Sequence, residues 1–205
     1  VENGYTLTND ETEAEVIVVN TCAFIHDAKE ESINSILEMA RYKTEGVLKA
    51  LLVTGCLAQR YKEEIIEEIP EVDAVLGTTS FGDIIKALDK VFEGKRYLEF
   101  KDINALTEIS KKRVLTTGGY YGYLKIAEGC DKRCTYCIIP KLRGNYRSIP
   151  MEQLISQAEY LAEQGVRELI LVAQETTVYG KDIYQEKCLH KLLKELCKIP
   201  GIQWI

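Results

Sequence analysis

Hydrophobic positions in the first half of the chain alternate between two periods. Short β-branched runs predict buried strands over residues 15–20, 48–54 and 73–76. Apolar residues at the spacing of one helix face predict helices over about 27–42, 58–69 and 81–92. Strands that alternate with helices favour a parallel sheet with right-handed crossovers. We therefore expect a Rossmann-like parallel α/β domain.

The second half repeats this alternation after a stretch without clear periodicity. Residues 94–119 hold Gly118 and Gly119, and they predict a linker. Strands are predicted over 121–127 and 168–173, and helices over about 150–164 and 188–197. Residues 202–205 resemble the beginning of a further strand. We expect domains over residues 1–94 and 120–205, joined by a linker over 95–119.

Composition limits the number of domains and indicates the cellular compartment of the protein. Its 205 residues, 46% of them hydrophobic, suffice for one large or two small domains. No apolar run is long enough to span a membrane, so no membrane contact is expected. Seven cysteines, with three of them clustered, fit a reducing cytoplasm. The chain lacks an initiator Met and ends in a strand-like stretch, so we expect a part of a longer protein.

The net charge is −6, and the charged residues are unevenly distributed along the chain. Residues 1–117 carry 14 basic and 22 acidic side chains, whereas residues 118–205 carry 12 basic and 10 acidic. An acidic first half is a poor surface for a nucleic-acid backbone. Direct nucleic-acid binding is therefore not expected, and a protein substrate is favoured.

Three cysteines with close spacing supply the candidate chemistry. Cys130, Cys134 and Cys137 are spaced Cys-x3-Cys-x2-Cys, and the next Cys and His are Cys188 and His190. Thiolates suit zinc, copper(I) or iron–sulfur clusters. A structural zinc site closes with four ligands, whereas three suit a four-iron cluster with one open iron. A zinc-stabilised interaction module is the alternative of another class.

The same loop carries a family resemblance. Cys-x3-Cys-x-aromatic-Cys, with Tyr136 as the aromatic, resembles the signature of radical S-adenosylmethionine (SAM) enzymes. Cys137-Ile-Ile-Pro-Lys-Leu-Arg-Gly144 is similar to the methylthiotransferase family within them. Leu142-Arg-Gly-Asn-Tyr-Arg-Ser148 and Ala173-Gln-Glu-Thr-Thr-Val-Tyr-Gly180 resemble the branch acting on an aspartate of ribosomal protein S12. The tRNA-modifying branch is less similar in both segments.

The resemblance implies a fold and two metal centres. The second domain is expected to begin a partial TIM-like (β/α) barrel, with Cys130, Cys134 and Cys137 holding a SAM-binding 4Fe-4S cluster. Cys22 and Cys56 both follow predicted strand ends, where ligands of parallel sheets bind. Without the resemblance, the simpler interpretation is that each is a small buried residue in a turn between strand and helix. They match two ligands of the family's auxiliary 4Fe-4S cluster, whose third ligand belongs to a first strand that this chain lacks.

Four further residues are candidates for binding SAM or substrate. Tyr136 is expected either to pack on adenine or to shield the cluster from solvent. Gln174 follows a strand, where the family contacts the methionyl part of SAM, although such a residue also caps strand ends. Arg143 and Arg147 lie in a basic loop and suit carboxylates, while a solvated charged face is the simpler alternative.

The implied reaction converts an aspartate of ribosomal protein S12 to 3-methylthioaspartate. One SAM donates a methyl group to sulfur at the auxiliary cluster, and a second yields the 5′-deoxyadenosyl radical that abstracts a β-hydrogen. The resemblance also implies an electron donor such as flavodoxin or ferredoxin. Methylthiolation of a tRNA adenosine is the main alternative.

Overall fold

A computed structural model describes residues 3–105, 114–115 and 118–205 of the chain. The chain divides into two units, which we call unit 1 (residues 1–107) and unit 2 (residues 108–205). Each unit is described by itself below. Much of the predicted linker, residues 106–113 and 116–117, lies outside the described residues.

Unit 1 alternates strands with helices as the hydrophobic pattern predicts. Short 3-10 turns lie at Glu11–Glu13 and Phe81–Asp83. The main elements, in chain order, are β1 (Val16–Thr21), α1 (His26–Ala40), α2 (Tyr42–Glu45), β2 (Ala50–Gly55), α3 (Cys56–Tyr61), α4 (Glu64–Glu68), β3 (Ala74–Leu76), α5 (Ile84–Phe92) and β4 (Tyr97–Glu99).

The four strands of unit 1 form one sheet in the order β1-β2-β3-β4, and every neighbouring pair is parallel. The predicted parallel α/β class is thereby confirmed. All six residues of β2 are buried, which is typical of a strand covered on both faces. Leu51 and Leu52 are fully buried, and each such side chain contributes about 1.5–3 kcal/mol. This rigid central strand delivers Cys56 at its end.

Two details of unit 1 differ from the sequence prediction. The helix predicted over 58–69 is two helices, because Lys62 adopts a left-handed φ of 48° between α3 and α4. Strand β4 lies in the segment predicted as linker, where it pairs with β3. Its three residues are too few to show a period of two in the sequence.

Unit 2 holds the second α/β segment. In chain order its elements are β5 (Tyr121–Lys125), β6 (Ala127–Glu128), α6 (Ile139–Arg143), β7 (Arg147–Ser148), α7 (Met151–Glu163), β8 (Glu168–Val172), α8 (Lys181–Tyr184) and α9 (Leu189–Leu196). The predicted strand over 121–127 is divided, since β5 pairs with β8 in parallel and β6 pairs with β7 antiparallel.

One core holds unit 2 together. Helices α7 and α9 pack their apolar residues against the β5–β8 pair, and the fully buried members include Leu124, Leu154, Tyr179 and Leu192. Trp204 forms a parallel bridge with Glu168 beside β8, as expected for the beginning of a third strand. The carboxyl ends of β5 and β8 therefore lie side by side, where the cysteine loop and Gln174 follow.

Across the described residues, the helices are all too short or too polar to cross a bilayer.

Candidate functional site

The cysteine loop begins directly after β6. Cys137 N donates to Cys134 O at 3.0 Å, so these two residues close one tight turn, and Cys130 N donates to Gly144 O at 3.2 Å. None of the three thiols is in a disulfide; Cys134 is exposed and the others are half-buried. Within the described part of the chain, no three His, Cys, Asp or Glu side chains gather around one point. Three accessible thiols on one loop are a donor set that suits an iron–sulfur cluster, and the ligand assignment stays a prediction.

Gly129 makes the sharp turn into the loop possible. Its φ is +77°, and a Cβ at this position would lie 2.6 Å from Gly144 O and closer still to Asn145 O. Only glycine fits such an approach without moving backbone. Gln174, just beyond β8, accepts a hydrogen bond from Gly129 N through its Oε1 at 2.9 Å. This bond joins the loop to the end of β8, and a contact between Gln174 and SAM stays a prediction.

A buried carboxylate at the start of the loop was missed by the sequence analysis. Glu128 is only 7% exposed and lies between the Lys125 ammonium and Arg143 Nη1, the latter at 3.4 Å. A buried charge requires such partners, because desolvation otherwise makes it costly. An acidic residue at a strand end directly before a ligand loop was the available signal.

Both candidate arginines bond groups of the chain itself. Arg143 contacts Glu128, while Arg147 donates to the carbonyl oxygens of Asn145 at 2.6 Å and Arg143 at 3.1 Å. These bonds fix the backbone between α6 and β7, next to the turn at Gly129. Their predicted role in binding carboxylates of a ligand is not tested by these contacts.

Tyr136 lies between two cysteines of the loop and is 85% exposed. Its ring is therefore available for contact with a ligand. The two roles that the sequence left open, packing on adenine and shielding a cluster, both stay predictions.

An open cavity of about 350 Å³ lies beside Cys130. Glu175 on its wall is paired with Lys132 and also accepts a hydrogen bond from Thr177 N at 3.0 Å. The Lys132 ammonium and the Thr177 donors lower the pKa of Glu175 to about 2. Glu175 is therefore ionised at neutral pH, and the ion pair is lost only when acid protonates it near that pKa.

Tyr146 also lines this cavity, and its side chain is 7% exposed. Burial, opposed by the Ser148 hydroxyl and reinforced by Asp182 and Glu175, raises the pKa of Tyr146 to about 12. Its hydroxyl is buried and makes no hydrogen bond with any described residue. The Tyr146 hydroxyl is thus a protonated donor whose hydrogen-bonding capacity is unused.

Unit 1 brings its two candidate cysteines to neighbouring strand ends. Cys22 directly follows β1, Cys56 directly follows β2, and the register pairs Thr21 with Gly55. Gly55 has a φ of +97°, and a Cβ there would lie 2.8 Å from Thr21 N. A side chain at this position would push the two strand ends apart. The sheet therefore supplies the adjacency that parallel strands predict, while ligation by these cysteines stays a prediction.

Two hydroxyl groups, both missed from the sequence, fasten these strand ends. Thr21 Oγ1 donates to Thr54 O at 2.6 Å and accepts from Leu57 N at 3.2 Å, so it joins the residues that precede Cys22 and flank Cys56. Ser32 Oγ accepts from Cys22 N at 3.0 Å and lies 3.1 Å from Cys22 O. The backbone around both cysteines is held by side chains as well as by the sheet.

Each unit matches the model of a known protein family over most of its length. Residues 124–203 match the model of the radical SAM superfamily, and residues 1–77 match the model described as uncharacterized protein family UPF0004. Unit 2 therefore has the radical SAM fold that the cysteine motif predicts.

Curated relatives extend this likeness over the whole chain. The chain is 66% identical over 204 residues to the ribosomal protein uS12 methylthiotransferase RimO of Lachnoclostridium phytofermentans, which covers 100% of this chain and 46% of the relative. It is 52% identical to RimO of Clostridioides difficile over 98% of this chain and 46% of the relative. Over its whole length the chain is thus similar to proteins of the radical SAM methylthiotransferase family, as its motifs indicate. It spans about half the length of the curated relatives it matches.

Solved structures support the fold alone. The radical SAM methyltransferase TsrM from Kitasatospora setae, with tryptophan and a SAM analogue bound, matches with a TM-score of 0.58 at 13% identity. The match covers 88% of this chain and 39% of that chain. A second TsrM structure, with cobalamin and a [4Fe-4S] cluster bound, gives a TM-score of 0.59 at 12% identity.

Proposed function

We propose that this chain is part of a radical SAM methylthiotransferase that converts an aspartate of ribosomal protein S12 to 3-methylthioaspartate. The observation that carries the proposal is the Cys130–Cys137 loop at the strand ends of a radical SAM unit. Relatives that are 50–66% identical and named as uS12 methylthiotransferases support the choice of substrate. A tRNA adenosine substrate is not favoured by those names.

The residues divide the proposed work between two centres. Cys130, Cys134 and Cys137 hold a 4Fe-4S cluster that, when bound, supplies the electron for reductive cleavage of SAM. The loop keeps these thiols at the strand ends through Gly129 and its bond to Gln174. Tyr136, Gln174, Arg143 and Arg147 bind SAM or substrate in this proposal.

Cys22 and Cys56 hold an auxiliary 4Fe-4S cluster together with a third ligand, since unit 1 contains no other cysteine. Thr21 and Ser32 hold the backbone of these two ligands in place. An electron donor such as flavodoxin or ferredoxin reduces the enzyme, and the reaction takes place in the cytoplasm, where thiols stay reduced.

Anaerobic reconstitution with iron and sulfide tests the metal centre of unit 2. Cys134→Ala removes a proposed ligand, and Cys197→Ala removes another exposed cysteine that lies outside the loop. We expect Cys134→Ala to lose the cluster's visible absorption and SAM cleavage, whereas Cys197→Ala keeps both. A colourless wild-type protein with one tightly bound zinc would instead support a structural zinc site.

Mass spectrometry of cellular products tests the substrate. Cells that lack the gene should contain unmodified S12 and unchanged tRNA. Loss of a tRNA methylthio group with S12 still modified would refute the proposed substrate and leave the enzyme class intact.

A further inference from the structure

The cavity beside Cys130 is lined by several charged side chains, and most of them already have partners within the chain. Its walls include three carboxylates and two ammonium groups, from Asp131, Glu175, Asp182, Lys132 and Lys181. Each carboxylate already accepts hydrogen bonds from the chain: Asp131 from a backbone N–H, Glu175 from Thr177, and Asp182 from Ser148. Lys132 is paired with Glu175. The three carboxylates of the wall are therefore already hydrogen-bonded within the protein.

Two donors on the same wall have no such partner. Lys181 is exposed, and its ammonium makes no ion pair with any residue that the structure describes. The Tyr146 hydroxyl is buried without a hydrogen bond among those residues, although its charged neighbours Asp182 and Glu175 line the cavity. A buried hydroxyl without a partner costs roughly 1–3 kcal/mol, so it points to a missing acceptor.

Ser148 fixes the chain on both sides of Lys181. Its Oγ accepts from Gly180 N at 2.9 Å and donates to Asp182 Oδ1 at 2.6 Å, while its N donates to Asp182 Oδ2 at 2.8 Å. The residues on both sides of Lys181 are thus fastened to Ser148, which lies two positions after Tyr146. A backbone fixed in this way reduces the entropy that Lys181 loses when it binds a ligand.

We propose that this cavity is a carboxylate-binding site in which Lys181 and Tyr146 hold the side chain of the substrate aspartate. The inference rests on the proposed function. A carboxylate offers two acceptor oxygens, one for the ammonium and one for the hydroxyl, and an adenosine offers no carboxylate. Because Cys130 also lines the cavity, an aspartate bound there lies close to one of the proposed cluster ligands.

The test uses a protein of the relatives' full length and measures three quantities for each variant. These are the Kd for S12, the Kd for SAM, and 5′-deoxyadenosine formation without S12. Lys181→Met removes the charge, Tyr146→Phe removes only the hydroxyl, and Lys187→Met alters an exposed lysine that does not line this cavity. S12 with its target aspartate changed to asparagine supplies the matched ligand.

We expect Lys181→Met to raise the Kd for S12 by roughly 10-fold or more, as for the loss of a charge-assisted hydrogen bond. Tyr146→Phe should raise it by roughly 3- to 10-fold without lowering stability, because the lost hydroxyl has no partner among the described residues. SAM affinity and 5′-deoxyadenosine formation should stay unchanged in both variants. The asparagine form of S12 should bind wild type and Lys181→Met equally.

Two results would overturn the proposal. Weakened SAM binding with unchanged S12 binding would assign the carboxylate to SAM, and unchanged affinity for both would remove the site altogether. A wild-type enzyme that leaves S12 unmodified would refute the proposed function instead, and with it the assignment to the substrate.

Discussion

Gly129→Ala should distort the cysteine loop, because a methyl group at this position has no free space. The new Cβ would meet two backbone carbonyl oxygens, those of Gly144 and Asn145. Backbone atoms cannot rotate away as a side chain would. The loop must therefore shift by roughly 1 Å to restore ordinary contact distances, and Gly129 N moves away from Gln174.

The cost of this change has three parts. A φ of +77° costs an L-residue about 1–2 kcal/mol relative to glycine. Loss of the Gly129–Gln174 hydrogen bond adds about 1 kcal/mol. Separation of the loop from Asn145 disturbs the neighbouring bond between Cys130 and Gly144, which adds a similar amount. We expect unit 2 to lose roughly 3 kcal/mol or more.

Gly119→Ala is the matched control, because Gly119 has a φ of +87° and open space around its Cβ position. It should cost only the backbone contribution, about 1–2 kcal/mol. Urea denaturation followed by the fluorescence of Trp204 measures both variants, since this single tryptophan bridges to β8 in unit 2. Equal losses of unfolding free energy in the two variants would refute the close-approach argument. Iron content after reconstitution should fall in Gly129→Ala alone.

Two further substitutions test the bonds that fasten each site. Thr21→Val keeps the side-chain shape but leaves Thr54 O and Leu57 N without their partner, so we expect unit 1 to lose about 1–3 kcal/mol by urea denaturation followed by circular dichroism. Thr21→Ser should recover most of this loss, and equal values for Val and Ser would contradict the role of the hydroxyl. Gln174→Met should speed hydrogen exchange at Gly129 N roughly 5-fold or more, whereas Gln174→Glu, which keeps an acceptor, should not. Unchanged exchange in the Met variant would show that the bond does not hold the loop.

The two candidate metal centres are built in a similar way, each within its own unit. In unit 1 the cysteines follow the neighbouring parallel strands β1 and β2, and in unit 2 the cysteine loop follows β6, the short strand that comes after β5 of the parallel β5–β8 pair in the chain. In each, a glycine with positive φ, Gly55 or Gly129, allows an approach that a side chain would block. A short turn thus brings a thiol to the sheet edge without lengthening the chain.

The sequence by itself determined the fold class and the identity of the candidate ligands. Periodicity located the strands and helices of the parallel sheet, because burial imposes a repeat that local sequence displays. The spacing of Cys130, Cys134 and Cys137 indicated the superfamily, and the segment up to Gly144 indicated the family, because a chemical motif is local. The same locality explains why β4, with three residues, was not predicted.

Tertiary structure decided everything that depends on partners distant in sequence. Only the folded chain pairs Arg143 with Glu128, joins Gln174 to Gly129, and fastens both neighbours of Lys181 to Ser148. The Tyr146 hydroxyl likewise lacks a partner among the described residues only because of what the fold packs around it. Such contacts depend on which side chains meet across the sheet edge, and no local pattern records that meeting.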